Sequence, residues 1–134
     1  MFRKPAMFLI ALCILVLFAS CASTRAGEDT QYVLYLGTND KDTNLPVFSR
    51  DEAMAKVTEI LINRFGGYTV QDAHGGWIDD NGRVYQEYTL IIYLSDTDIQ
   101  AVRALADELL DVFRQSTVLI HTNLTTTEFY CGAN

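Results

Sequence analysis

The chain has 134 residues, with ten basic and seventeen acidic side chains and a formal net charge of −7. A surface of that sign makes nucleic acid and anionic lipid headgroups poor partners, because both would meet like charge. The length is enough for one small domain with a single core and excludes a second one.

The first twenty residues read as an address. Arg3 and Lys4 precede an apolar run from Met7 to Phe18, and small residues follow before Cys21. The run is about a dozen residues, shorter than the roughly 18 to 20 a helix needs to cross a bilayer, so cleavage is expected. Leu17-Phe18-Ala19-Ser20-Cys21 resembles a bacterial lipobox, in which the cysteine is diacylated and becomes the new N-terminus. Cleavage after Ala22 without lipid, giving a secreted chain, is the competing reading. The expected organisation is a signal peptide over 1–20, a lipid-bearing Cys21, a flexible tether over 21–30 and one domain over 31–134. The expected location is the bacterial cell envelope, anchored to a membrane through the lipid on its extracytoplasmic side. Losing Arg3 and Lys4 with the signal leaves eight basic against seventeen acidic residues, a net of −9. Cys13 leaves with the signal and Cys21 carries lipid, so Cys131 is expected to stand alone, and neither a disulfide framework nor a cysteine metal site can be built. A Cys21–Cys131 bridge would require a Cys21 without its lipid.

Gln31 to Thr38 is rich in Tyr, Val and Leu and ends at Gly37, which predicts a strand followed by a polar loop over Asn39 to Asn44. Ser49-Arg50-Asp51-Glu52 is a capping box, and Ala53, Met54, Val57, Ile60, Leu61 and Phe65 then recur on one helical face. Gly66-Gly67 supplies the left-handed C-terminal cap. Tyr68 to Ala73 and Gln86 to Leu94 read as strands of a hairpin, with Asn81-Gly82 as a type I′ turn. A two-residue turn pairs Val70 with Tyr93. One extra residue at a Gly75-Gly76 bulge pairs it with Ile92 and gathers the aliphatic residues on one face, which is the favoured register. Ser95 to Asp98 starts a second helix, whose apolar stripe is Val102, Leu105, Ala106, Leu109, Leu110 and Phe113. Thr117 to Glu128 is a β-branched last strand.

The order β-α-β-β-α-β is the ferredoxin-like split βαβ arrangement, an α+β fold with a four-stranded antiparallel sheet and two helices on one face. Val33, Tyr35, Ile91 and Tyr93 then fall on the uncovered face. Strands apolar on both faces are usually buried on both, which predicts a homo-oligomer through the open face.

Around the hairpin, Arg64-Phe65, Gly67, Thr69-Val70, Gly76-Trp77, Gly82, Glu87 and the aliphatic strand after it, with Gly37 upstream, carry a resemblance to a family of short bacterial lipoproteins known only as a domain of unknown function. The resemblance covers most of the domain. It implies an envelope lipoprotein and supplies no reaction.

The chemistry-bearing residues are few. His74 and His121 with Asp72 could bind a metal ion, but their strands belong at opposite edges of the expected sheet, so no metal site is assigned. No nucleophile elbow, phosphate loop, CxxC or HExxH pattern occurs, and no cofactor is implied. Asp79-Asp80-Asn81-Gly82 lacks the spacing and distal glutamate of a calcium loop and reads as turn chemistry. Trp77, Glu87, Tyr85, Tyr88 and His74 are the candidate ligand-binding residues, an aromatic arm with a carboxylate; packing of the aromatics against another subunit is the bland alternative. The expected function is a non-catalytic module that binds a small molecule or a protein. The alternative is a small enzyme using Glu87, His74 or Asp72 as acid or base at a subunit interface.

Overall fold

The computed structural model describes residues 27–132. The expected signal peptide, Cys21 and the tether as far as residue 26 lie outside them. The elements are β1 (Gly27–Gly37), α1 (Arg50–Phe65), β2 (Thr69–Ile78), β3 (Val84–Leu94), α2 (Ile99–Val112) and β4 (Leu119–Thr127). They form one antiparallel sheet in the order β2-β3-β1-β4, the ferredoxin-like arrangement.

The helix ends follow from their capping residues. Ser49 and Glu52 close a reciprocal capping box at the start of α1, and Gly66 ends it at φ 70°, donating its N–H to the Ile62 carbonyl. Asp98 caps α2 by accepting from the Ala101 amide at 2.8 Å. α1 buries Ala53, Val57 and Leu61, and α2 buries Val102, Leu105, Ala106 and Leu109, with Phe113 just beyond it. Leu110, placed in the stripe by its spacing, is only half-buried. Opposite the helices lie Tyr32, Leu34 and Leu36 of β1 and Leu90, Ile92 and Leu94 of β3. Each fully buried aliphatic side chain removes apolar surface worth about 1.5–3 kcal/mol from water, and this layer is the core.

Three local expectations are corrected. Residues 27–30, read as tether, are the start of β1. Their polar side chains pair with the threonine-rich end of β4, and Asp29 accepts from the Thr127 hydroxyl at 2.7 Å. A solvated ladder needs no apolar pattern, so hydropathy does not reveal it. The β2–β3 register does pair Val70 with Ile92, but no bulge interrupts Gly75 and Gly76. The extra residue sits in the turn instead. Only Gly82 there has positive φ, 80°, and its N–H donates to Asp79 O, so Asp80-Asn81-Gly82 form a three-residue loop and not a type I′ turn. Asp79 organises it through the Asn81 and Arg83 amides, both at 2.9 Å. Finally, Cys131 does not stand alone: it is disulfide-bonded, while Cys13 and Cys21 lie outside the described residues.

The loop after β1 is tied to the end of α2. The Lys41 amide donates to Arg114 O, and Asp40, buried at 4% exposure, accepts from the Asp42 and Thr43 amides and pairs with Arg114 Nε at 2.8 Å. The Asp42 amide first, then the Thr43 amide and the Arg114 charge, hold the Asp40 carboxyl below its ordinary value of 3.8. A carboxyl depressed on folding contributes stability that is complete above its unfolded pKa and is lost as pH falls through the folded one. Asp40→Asn is therefore expected to make unfolding less steeply pH-dependent below about pH 4, measured as denaturation midpoints from pH 7 to 2. An unchanged acid limb would count against this role.

A compact unit spans Ala26–Thr127, and residues 128–132 fall outside it. No helix among the described residues is long and apolar enough to cross a membrane.

Candidate functional site

On the face away from the helices, side chains stand in cross-strand rows. From β2 to β4 these are Thr69, Tyr93, Val33 and His121, then Gln71, Ile91, Tyr35 and Leu119, then Ala73, Thr89 and Gly37. Beyond them β2 and β3 continue alone, with the pairs Gly75–Glu87 and Trp77–Tyr85. The open face is less bare than its sequence suggests. Val33 is 5% exposed among the rings of Tyr93, Tyr35 and His121, and the last two meet edge-on at 5.1 Å. Tyr35, Ile91 and Tyr93 remain half-buried and Leu119 is 54% exposed.

Glu87 lies half-buried beside this layer. Its Oε2 accepts from the Thr38 amide at 3.1 Å and the Asn39 amide at 3.2 Å, where β1 leaves the sheet. Oε1 has no hydrogen-bond donor among the described residues. The carboxylate lies directly over Gly37, where a Cβ would come within 2.5 Å of it. Gly75 is opposite, and a Cβ there would meet the Thr89 hydroxyl at 2.4 Å. The absence of side chains at 37 and 75 thus makes room that the Glu87 carboxylate and the Thr89 hydroxyl fill. The amides that hold Glu87 belong to the exit of β1 and not to a bulge at Gly75-Gly76.

Trp77 and Tyr85 are the cross-strand pair two residues beyond Gly75 and Glu87, their rings stacked at 4.4 Å and inclined by 16°. Trp77 is 49% exposed, so it takes no part in the core. Arg83 places its guanidinium 5.1 Å from the Tyr85 ring centre. Ile78 and Val84, at the tip, are also exposed.

The sheet divides the five candidates. Trp77, Tyr85 and Glu87 share the open face, whereas His74 and Tyr88 point to the helix side near the start of α1. There the Arg50 guanidinium lies 3.1 Å from His74 Nε2 and 4.8 Å from the Tyr88 ring centre. Arginine only donates, so His74 Nε2 is the acceptor. The Tyr88 hydroxyl donates to Asp72 at 2.8 Å; burial, then that hydrogen bond, push it up to about 12. This group braces the hairpin against α1. His121 lies on the open face of the far edge strand, so the two histidines are separated by both the sheet and its width. A groove of about 490 Å³ between α1 and α2, lined by Lys56, Glu59 and Asn63 among others, contains none of the candidates, and Arg64 and Glu108 pair across it.

Sequence reasoning missed Thr38, Asn39 and Thr89. The available signal was Gly37, which matters only because a side chain from a distant strand lies on top of it.

Fold and site together define a ferredoxin-like α+β module whose open sheet face carries a carboxylate beside an aromatic pair. Residues 31–129 match the family of proteins of unknown function DUF3574, and the chain belongs to that family. No curated protein matches it. Among solved structures, a phage SAM lyase in complex with S-methyl-5'-thioadenosine is similar, with a TM-score of 0.56 and 15% identity, over 75% of this chain and 88% of that one. The same lyase in its apo state gives a TM-score of 0.55 and 15% identity over 81% and 93%. CutA from Synechococcus elongatus PCC7942 gives 0.47 and 9% over 80% and 86%. At these identities the likeness is one of fold.

Proposed function

We propose that the chain is a lipid-anchored, extracytoplasmic binding module that assembles through the open face of its sheet and receives a small ligand at Glu87, Trp77 and Tyr85. The carrying observation is the half-buried Glu87 carboxylate, held on one oxygen by two amides and without a donor on the other among the described residues, on the same open face as the exposed Trp77. Glu87 and the exposed Trp77 lie on an open sheet face and not in an enclosed cavity lined by them among the described residues. That favours binding over catalysis, since an enzyme needs a site that excludes water and aims several groups at one reacting atom.

A thermal-shift screen on the purified chain tests the site, with S-methyl-5'-thioadenosine as its first compound because a protein of the same fold is known with it bound. A hit is expected to be lost in both Glu87→Gln and Trp77→Ala while their unliganded melting stays at the wild-type value. Binding that survives in both variants would remove the site from this face. Covalent conversion of a hit, followed by mass spectrometry, would favour the enzyme.

Assembly rests on Leu119, Ile91, Tyr35 and Tyr93, an apolar strip with no covering layer among the described residues. Light scattering at micromolar concentration should show more than one subunit, and Leu119→Glu should shift the mass downward. A wild-type monomer would end the assembly proposal.

The anchor rests on Arg3, Lys4, the apolar run and Cys21. The Cys21 sulfur can carry either a thioether-linked diacylglyceryl group or a disulfide, so the disulfide of Cys131 is the observation that competes with this anchor and makes the test sharp. Intact mass from native membranes, with and without reductant, is expected to show a chain beginning at acylated Cys21. A chain without acyl mass whose Cys21 is bridged to Cys131 would overturn it.

A further inference from the structure

We propose that the outer edge of β4 is an interface between two copies of this chain, whose β4 strands pair antiparallel about a twofold axis at Asn123. The inference rests on the assembly proposed above and adds a second contact to it, an edge beside the open face. β4 closes one side of the sheet: it pairs with β1, and no strand among the described residues pairs with its other side. Alternate residues along it therefore turn N–H and C=O groups outward, a template for another strand. Natural edges are usually guarded by charge, proline or a bulge. The other edge strand, β2, carries Asp72, and the Arg50 guanidinium of α1 meets it at His74. β4 has no such guard. From Gln115 to Thr127 there is no Asp, Glu, Lys, Arg or Pro, the longest run without charge among the described residues, and the ladder with β1 is unbroken from Leu119 to Thr127.

A second copy fits this edge because copies that each carry −7 approach closely only where charge is absent. Asn123 is the midpoint of β4, so full overlap sets it opposite itself and Leu119 opposite Thr127. Glu128 then falls opposite the apolar Val118, and no like charges meet. The same register treats Leu124, at 91% the most exposed large apolar side chain among the described residues. It comes to lie opposite Thr122 and diagonal to Ile120 of the second copy, a burial that one copy alone does not give it.

The experiment measures the mass of the full chain by light scattering at micromolar concentration, for the wild type, Asn123→Lys, Asn123→Glu and an equimolar mixture of the two variants. Asn123 is exposed, so each variant is expected to melt as the wild type does. Each is expected at half the wild-type mass, since like charges would face each other at the axis. The mixture is expected to recover the wild-type mass, because lysine then faces glutamate. A merely weakened fold would show no such recovery. Variants that keep the wild-type mass, or a mixture that stays at half of it, overturn the inference and leave assembly through the open face standing. A monomeric wild type overturns both and leaves the edge to a strand of another protein.

Discussion

Phe113→Ala is expected to destabilise the domain by about 3–5 kcal/mol, the range for deleting a fully buried aromatic ring that its surroundings only partly refill. Phe113 is completely buried just after α2 and meets Phe48 edge-on, with ring centres 5.4 Å apart and planes at 77°. Phe48 precedes the start of α1 and packs on the core, so the two rings join the beginning of one helix to the end of the other. Removing Phe113 opens a cavity at this junction, beside the Asp40–Arg114 pair that ties down the loop after β1. Against the roughly 5–15 kcal/mol by which such domains are stable, this loss is a large fraction. Denaturant titration should show a lower midpoint at unchanged slope. A loss below about 1 kcal/mol would mean that the junction carries no packing of this kind.

The second large effect is at Gly37. Alanine there would place a Cβ within 2.5 Å of the Glu87 carboxylate. The carboxylate ends a flexible side chain and can swing away, but only by releasing the Thr38 and Asn39 amides. Leaving partly buried amides without acceptors costs about 1–3 kcal/mol, and that is the expected loss for Gly37→Ala. Glu87→Ala frees the same amides and removes the clash. The double variant should therefore be little less stable than the worse single one, a coupling of about 1 kcal/mol or more. Additive losses would show that Gly37 and Glu87 act separately. The same cycle read with a bound ligand tests whether the Gly37–Glu87 contact is needed for binding as well as for stability.

Much of this architecture is legible in the chain because its causes are local. Ser49 with Glu52, Asp98, and Gly66 mark helix ends through atoms within a few residues of each other, and the stripe from Val102 to Phe113 announces a buried face by its period alone. The order of elements then leaves few ways to pair four strands, and the ferredoxin-like sheet follows. The opposition of Gly75 to Glu87 was also readable, since register follows from gathering aliphatic residues on one face. Its cause was not. A residue added in the turn and one added in a bulge shift the register equally, and only the backbone angle at Gly82 distinguishes them.

What tertiary structure alone decided are the contacts between parts far apart in sequence. Alternation along the strands sends Glu87 and Trp77 to one face and His74 and Tyr88 to the other once the register is fixed, but what they meet there, Gly37 on one side and Arg50 on the other, is decided by the fold. Thr38 and Asn39 offer amides to Glu87 from nearly fifty residues away, and backbone donors leave no mark on the residue types that carry them. Gly27 to Thr30, which begin β1, became strand for a similar reason: β4 provides the partner, and hydrogen bonding in a solvated ladder requires no hydrophobic pattern. The chain by itself determined its elements and their order, through local capping and periodicity; the site exists only because folding laid a carboxylate over a glycine on another strand.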